Sequence, residues 1–235
     1  MSKPRVWELD ALRGLCILGM VVVHLVYDLT DLYGLITWEY PAWFSFLMDW
    51  GGVLFFLISG VSATFGSRGM KRGFLVFSCG MVCTAVTVGM YLLGFSRSVI
   101  IYFGALHSLG VCMMLWIGLK RLPTICLILF GCVLAAAGLM IRNIPVPFPY
   151  LTPLGLVTAD FSTADFFPLL PYLGFFLLGA GLGRTIYKEK VSLLPSVNAD
   201  VFPIRFLRAC GRASLPIYLL HQPVITGLCW LLTAA

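Results

Sequence analysis

The chain has 235 residues, of which 60% are hydrophobic and 11% are charged, and its mean hydropathy is +0.97. A soluble domain carries about 25% charged residues, so this composition excludes an ordinary soluble protein and indicates an integral membrane protein. The formal net charge of +6 does not indicate a nucleic-acid partner, because the basic residues lie between apolar stretches, where they face anionic lipid of the bilayer.

Seven apolar segments are long enough to cross a membrane as helices, which takes roughly 20 residues each. We therefore predict an all-α, polytopic membrane helix bundle that forms one domain over residues 1–235. Short connections predict that neighbouring helices pack antiparallel. Small residues along several spans permit a homodimer. The predicted spans are Leu12–Leu32, Phe46–Phe65, Phe74–Leu93, Ser98–Leu119, Leu122–Ile141, Phe167–Ile186 and Ser214–Leu232.

The basic residues predict the orientation of the bundle. With the N-terminus in the cytoplasm, fourteen of the 16 Lys and Arg residues lie inside, and only Arg97 and Arg142 lie outside. Lys and Arg resist translocation, so we expect an N-in, C-out topology. The predicted inner residues are Lys3, Arg5, Arg13, Arg68, Lys71, Arg72, Lys120, Arg121, Arg184, Lys188, Lys190, Arg205, Arg208 and Arg212.

All three histidines, His24, His107 and His221, lie near the middle of predicted spans. Ionisable groups are costly in hydrocarbon, and such residues usually mark a functional site. Three imidazoles at similar depth predict one shared polar site. A metal site is an alternative because imidazole suits zinc or copper. No ligand spacing supports it, and the eight cysteines fit neither a zinc ribbon nor a disulfide framework, so we expect no metal.

The first predicted helix carries the clearest chemistry. His24 follows Arg13 by eleven residues, which is roughly 16 Å along a helix axis at 1.5 Å per residue. That separation is similar to the reach of an extended pantetheine arm. Asp28 is at i+4 from His24 and shares its helix face, where it could hold one ring nitrogen protonated and leave the other as a base or nucleophile. The alternative is a His–Asp hydrogen bond that only pins two helices.

Other polar residues join the predicted site with two interpretations each. His107, His221 and Gln222 could line the cavity of His24, bind an acceptor or stabilise an oxyanion, or they could form hydrogen bonds between helices. Asp165 stands just outside the sixth span. It could orient a sugar hydroxyl, whereas a solvated carboxylate is the default interpretation.

Several motifs resemble those of a known family. Arg13-Gly14 followed by an apolar helix with His24 resembles the arginine-x10-histidine motif of transmembrane acyltransferases. The opening Leu9-Asp10-Ala11-Leu12-Arg13-Gly14 is similar to that of the bacterial relatives of heparan-α-glucosaminide N-acetyltransferase. The segments 166–184 (FFPLLPYLGFFLLGAGLGR) and 211–225 (GRASLPIYLLHQPVI) are similar too.

This resemblance implies acetyl transfer from cytoplasmic acetyl-CoA to a hydroxyl or amine acceptor of the sugar or glycan class, on the outer side of a bacterial inner membrane. Arg13, Arg184 and Arg212 would hold the CoA phosphates. In heparan-α-glucosaminide N-acetyltransferase itself, a lysosomal enzyme, the position matching His24 is an asparagine, and a catalytic histidine follows it. The corresponding stretch of this chain, Leu29–Tyr40, contains no histidine. The catalytic role of His24 therefore comes from the broader acyltransferase motif.

Two functions remain open from the sequence. One is the acetyltransferase, with His24 acting as a general base for direct transfer or accepting the acetyl group itself. The other is a small proton-coupled transporter or channel that uses the same His and Asp residues near the bilayer midplane. Dependence on CoA separates them, since only the enzyme should be stabilised by binding CoA.

Overall fold

The computed structural model describes residues 6–142 and 144–234, so Lys3 and Arg5 of the predicted cytoplasmic segment lie outside the described residues. The described residues form eight α-helices and no strand. The helices are α1 (Trp7–Tyr27), α2 (Ala42–Ala63), α3 (Gly69–Leu92), α4 (Ala105–Leu119), α5 (Thr124–Ile141), α6 (Leu169–Ile186), α7 (Phe202–Arg212) and α8 (Ser214–Ala234).

Six described segments are long and apolar enough to cross a membrane, and α4 is a shorter apolar helix. The all-α, polytopic fold class is thereby confirmed, and these seven elements correspond to the seven predicted spans. The N-in, C-out orientation stays a prediction. The six segments are Trp7–Leu32, Ala42–Ala63, Gly69–Leu92, Thr124–Ile141, Leu169–Ile186 and Ser214–Thr233.

The fourth helix begins seven residues later than its predicted start at Ser98, since α4 starts at Ala105. Arg97–Val99 instead form a short 3-10 turn, and Phe103 pairs with Phe166 in an isolated parallel bridge. Gly104 is extended at the start of α4. Composition alone could not separate this extended apolar stretch from the helix that follows it.

The segment 187–213, which connects the sixth and seventh predicted spans, contains α7. This helix is amphipathic, with Arg205, Arg208 and Arg212 on one face. The exposed rings of Phe202 and Phe206 stack on another face, with their centroids 6.3 Å apart. With 11 residues and three arginines, α7 is too short and too charged to be recognised as a membrane span. Its pattern is typical of a helix at a membrane surface.

The chain divides into two compact units. The terminal unit combines Met1–Phe55 with Glu189–Ala235, and the central unit is Phe56–Lys188. In the terminal unit α1 packs against α7 and α8. In the central unit α5 packs against α6 and α3 packs against α4.

Close backbone contact joins α1 to α7 in the terminal unit. A Cβ added to Gly14 would lie 2.0 Å from the carbonyl oxygen of Leu207, and one added to Gly211 would lie 1.8 Å from that of Asp10. Only glycine fits at either position without a shift of backbone. The Arg13-Gly14 and Gly211-Arg212 pairs therefore serve first to let these two helices touch.

Glycines have the same use in the central unit. A Cβ on Gly60 would lie 1.9 Å from the carbonyl oxygen of Phe176, and one on Gly179 would lie 2.0 Å from that of Leu57. The end of α2 and the middle of α6 are thus in backbone contact, as small-residue steps in membrane helices permit.

Candidate functional site

Two of the predicted site histidines are neighbours in the terminal unit. His24 on α1 and His221 on α8 have ring centroids 4.9 Å apart, with their planes at 65° in an edge-to-face arrangement. Both side chains are half-buried. The Nδ1 of His221 donates to the carbonyl oxygen of Tyr218 at 2.5 Å. Because a carbonyl only accepts, the lone pair of the neutral His221 ring is on Nε2.

Asp28 bonds a different partner from the one its sequence position suggested. Its Oδ2 accepts a hydrogen bond from Nε2 of Gln222 at 2.7 Å, and the residue is only 1% exposed. Among the described residues no hydrogen bond joins Asp28 to His24. The other atom of the Gln222 amide, Oε1, is buried and has no hydrogen-bond donor in the described part of the chain.

Asp28 lies where α1 ends and a π-helical turn, Asp28–Leu32, begins. Such turns are frequent at functional sites. Within this turn, Thr30 and Asp31 are joined by hydrogen bonds to each other and to Tyr40, which follows the turn and donates to the Asp31 carboxylate. Burial, and next this hydrogen bond, raise the pKa of the Tyr40 hydroxyl above its ordinary value.

At the other end of α1, the contact between Gly14 and Gly211 brings two predicted phosphate ligands to one region. Arg13 directly precedes Gly14, and Arg212 directly follows Gly211. Arg13 pairs with Asp10 at 3.4 Å and is 20% exposed, whereas Arg212 is exposed. Both cations therefore lie at the crossing of α1 and α7.

Arg184, the third predicted phosphate ligand, belongs to the central unit. Its Nη1 donates to the carbonyl oxygen of Leu122 at 2.7 Å, and its Nη2 donates to that of Lys120. The guanidinium carbon lies 5.3 Å from the centroid of the Trp116 ring. These contacts satisfy carbonyl oxygens just after the C-terminal end of α4. They favour a structural role for Arg184, and its predicted contact with CoA stays a prediction.

His107, also in the central unit, is 2% exposed and uses both ring nitrogens within the unit. Its Nδ1 accepts from the backbone N–H of Gly104 at 3.2 Å, so Nε2 carries the proton and donates to the Thr84 hydroxyl at 3.2 Å. That hydroxyl donates in turn to the carbonyl of Ile101 at 2.7 Å. The arrangement is typical of a structural histidine.

Asp165 is tied to the same helix start. Its Oδ2 accepts from the backbone N–H of Ala105 at 3.0 Å. A carboxylate there satisfies a donor that the first turn of α4 cannot pair internally, and it suits the positive end of the helix dipole. The predicted roles of His107 and Asp165 in binding an acceptor stay predictions.

One contact of the site had no signal in the sequence. The Tyr218 carbonyl that holds His221 is a backbone group, and nothing in the residue types marks it. No group of three or more His, Cys, Asp or Glu side chains is placed to hold a metal ion in residues 6–142 and 144–234.

The fold and these contacts define a polytopic helical membrane protein with two imidazoles and a carboxylate–amide pair inside its spans. Residues 5–223 match the family described as "Heparan-alpha-glucosaminide N-acetyltransferase, catalytic". The chain therefore belongs to this family, which confirms the resemblance drawn from the sequence and indicates a membrane acetyltransferase. No curated protein and no solved structure matches the chain.

Proposed function

We propose that the protein transfers an acetyl group from cytoplasmic acetyl-CoA to a hydroxyl or amine acceptor of the sugar class on the outer side of a bacterial inner membrane. The observation that carries this proposal is the placement of a cation, Arg13, and an imidazole, His24, along one helix, with a second imidazole from α8 in contact with the first. Arg13 is near the start of α1, and His24, in ring contact with His221, is eleven residues further along.

The spacing suits the donor. Eleven helical residues extend roughly 16 Å at 1.5 Å per residue, so CoA phosphates near Arg13 would leave the pantetheine arm long enough to bring the thioester to His24. Arg212 reinforces this phosphate end because the contact of α7 with α1 brings it to the same crossing. Guanidinium groups bind phosphate through charge-assisted and often bidentate hydrogen bonds. In the N-in orientation this end faces the cytoplasm.

The chemistry at His24 can follow one of two routes. As a general base, it takes the proton of the acceptor while the acceptor attacks the thioester carbonyl directly. As a nucleophile, its ring nitrogen accepts the acetyl group first and then passes it on. The routes differ in whether an acetyl group resides on the protein between donor and acceptor, and labelled acetyl-CoA separates them.

The test uses purified protein in detergent with radiolabelled acetyl-CoA. CoA release, label retained on the protein and CoA-induced thermal stabilisation are measured in wild type, His24→Ala and Arg13→Ala. Arg205→Ala is the matched control, because Arg205 is an exposed cation of the same helix that does not adjoin Gly211 in the sequence. Water and glucosamine serve as acceptor probes.

The proposal predicts that CoA stabilises the wild type and Arg205→Ala, that Arg13→Ala loses this stabilisation, and that His24→Ala loses turnover while still binding CoA. Absence of both stabilisation and turnover in folded wild type would contradict the proposal. The polar residues of α1 and α8 would then be assigned to the transporter alternative.

A further inference from the structure

The four polar side chains that α1 and α8 bring together form two separate pairs rather than one cluster. His24 contacts the ring of His221, and Asp28 bonds the amide of Gln222. The i,i+4 spacing of His24 and Asp28 predicts the opposite arrangement, in which the carboxylate orients the imidazole. In the observed pairing the carboxylate orients an amide, and the imidazole contacts a second imidazole.

The first pair brings two titratable rings into contact. The Nδ1 of His221 is held by the Tyr218 carbonyl, so its Nε2 is the nitrogen that can accept and release a proton. A carbonyl oxygen at Nδ1 also stabilises the ring once it is positively charged. The centroid distance of 4.9 Å places the two imidazoles in ring contact.

The second pair fixes the direction of an amide. A carboxylate oxygen accepts, so Asp28 holds the Nε2 end of Gln222 towards itself at 2.7 Å. The Oε1 end must then point away. Oε1 is buried without a donor among the described residues, and a buried acceptor of this kind needs an N–H or O–H donor, from water or from a bound molecule.

On the basis of the acetyl transfer proposed above, we propose that His221 is the proton-transfer partner of His24, and that Asp28 acts on the reaction only through the amide of Gln222. Asp28 is thus a positioning residue. Gln222 Oε1 receives an N–H or O–H of the bound substrates.

The proton path balances in the direct route. The acceptor oxygen or nitrogen forms a bond to the acetyl carbon, and the carbon–sulfur bond breaks with its electron pair on the CoA sulfur. His24 takes the proton of the acceptor at one ring nitrogen and passes its other ring proton to Nε2 of His221. The thiolate then takes a proton from the pair and leaves as CoA–SH, and both rings are neutral again.

The proposed role of His221 in proton transfer is tested by the kinetics of CoA release in His221→Ala, with and without added imidazole. We expect kcat to fall by about 100-fold or more, the scale of a lost acid–base group. The KM for acetyl-CoA should stay within about threefold, and imidazole should restore activity by filling the vacated space. If kcat is unchanged, or falls without any rescue by imidazole, the proposed role is wrong. His221→Gln, which keeps the volume, replaces the alanine variant if that variant does not fold, and it is expected to lose kcat equally.

The proposed action of Asp28 through the Gln222 amide is tested by a double-mutant cycle. Asp28→Asn lets the Gln222 amide invert, and Gln222→Met removes the amide at similar volume. If Asp28 acts only through Gln222, the double variant is no slower than the slower single variant. Asp28→Asn combined with His221→Ala should instead multiply the two losses. Full additivity of Asp28→Asn with Gln222→Met, or non-additivity with His221→Ala, would overturn the assignment.

Binding of acetyl-CoA to wild type, measured by calorimetry, distinguishes a failure of the proposed acetyl transfer from a failure of the roles proposed for His221 and Asp28. Wild type that neither binds nor turns over acetyl-CoA contradicts the proposed function and this inference together. Wild type that turns over acetyl-CoA, beside a His221→Ala variant with wild-type kcat, contradicts the inference alone. A melting temperature for each variant shows that the compared proteins are folded.

Discussion

The terminal and central units each place histidine inside an apolar helix, yet the two environments differ in what the imidazole can do. His107 in the central unit is almost fully buried, and both of its ring nitrogens bond neighbouring groups of that unit. His24 and His221 in the terminal unit are half-buried and face each other. An intramembrane histidine whose two ring nitrogens are both bonded within the fold has a structural role, whereas one that keeps a ring nitrogen for another group is a candidate for function.

The largest expected effect is at His24. His24→Ala should lower the rate of CoA release by about 100-fold or more while leaving the affinity for acetyl-CoA within about threefold, because it removes the reacting group and not the phosphate ligands. Turnover and calorimetric binding on the same preparation measure the two quantities. Wild-type turnover in this variant would remove the terminal unit from consideration as the site.

The next effect tests the helix crossing that supports the site. Gly14→Ala places a Cβ 2.0 Å from the Leu207 carbonyl oxygen, so we expect a loss of about 1–3 kcal/mol in the free energy of unfolding, as for an overpacked contact. Gly19→Ala on the same helix is the matched control, since a Cβ there meets nothing within 4 Å. It should be neutral or stabilising by about 0.5–1 kcal/mol.

Unfolding in detergent by a graded denaturant compares the two variants directly. Equal stabilities for Gly14→Ala and Gly19→Ala would show that α1 and α7 do not touch as described.

A smaller effect is expected at Thr84 in the central unit. Thr84→Val removes the hydroxyl that links His107 to the Ile101 carbonyl. Because it leaves a buried N–H without its partner, it should destabilise the protein by about 1–2 kcal/mol. Turnover per folded molecule should not change.

Thr185→Val is its control, because the Thr185 hydroxyl bonds only carbonyls of its own helix. Thermal unfolding and CoA release are measured side by side. A loss of turnover in Thr84→Val at full stability would move His107 from the structural group to the functional one.

The smallest predicted effect concerns the cations at the crossing of α1 and α7. Arg212→Ala should raise the KM for acetyl-CoA by about three- to tenfold, the scale of one charge-assisted hydrogen bond that is partly exposed to solvent. Arg205→Ala, the same change seven residues earlier on α7, should stay within about twofold. Steady-state kinetics at fixed ionic strength measure both. Equal shifts in the two variants would mean that only the total charge of α7 matters.

Much of the fold could be predicted from the sequence because spanning a bilayer imposes a length and an apolar composition on each helix. Two features, the late start of α4 and the presence of α7, could not be predicted because they depend on local backbone geometry. The extended stretch before Ala105 is as apolar as α4 itself, and α7 is too short and too charged to resemble a span. Neither difference changes the fold class.

The site could be predicted only in its residue types. The importance of Arg13, His24 and Asp28 was suggested by the pattern of one helix, where spacing is informative. The partner of Asp28 lies 194 residues away, and no local period encodes that distance. The Gly14–Gly211 crossing and the Tyr218 carbonyl likewise depend on how helices pack, which residue types alone do not specify.

Under the proposed function, acetyl transfer depends on the His24–His221 pair of the terminal unit, whereas His107 maintains the structure. The most direct measurement is the rate of CoA release from acetyl-CoA per folded molecule in wild type, His24→Gln, His221→Gln and His107→Gln. We expect the first two variants to lose about 100-fold or more of the rate, and His107→Gln to melt at a lower temperature but to keep its rate within about threefold. Loss of turnover in folded His107→Gln to the level of His24→Gln, or wild-type turnover in His24→Gln, would contradict this expectation.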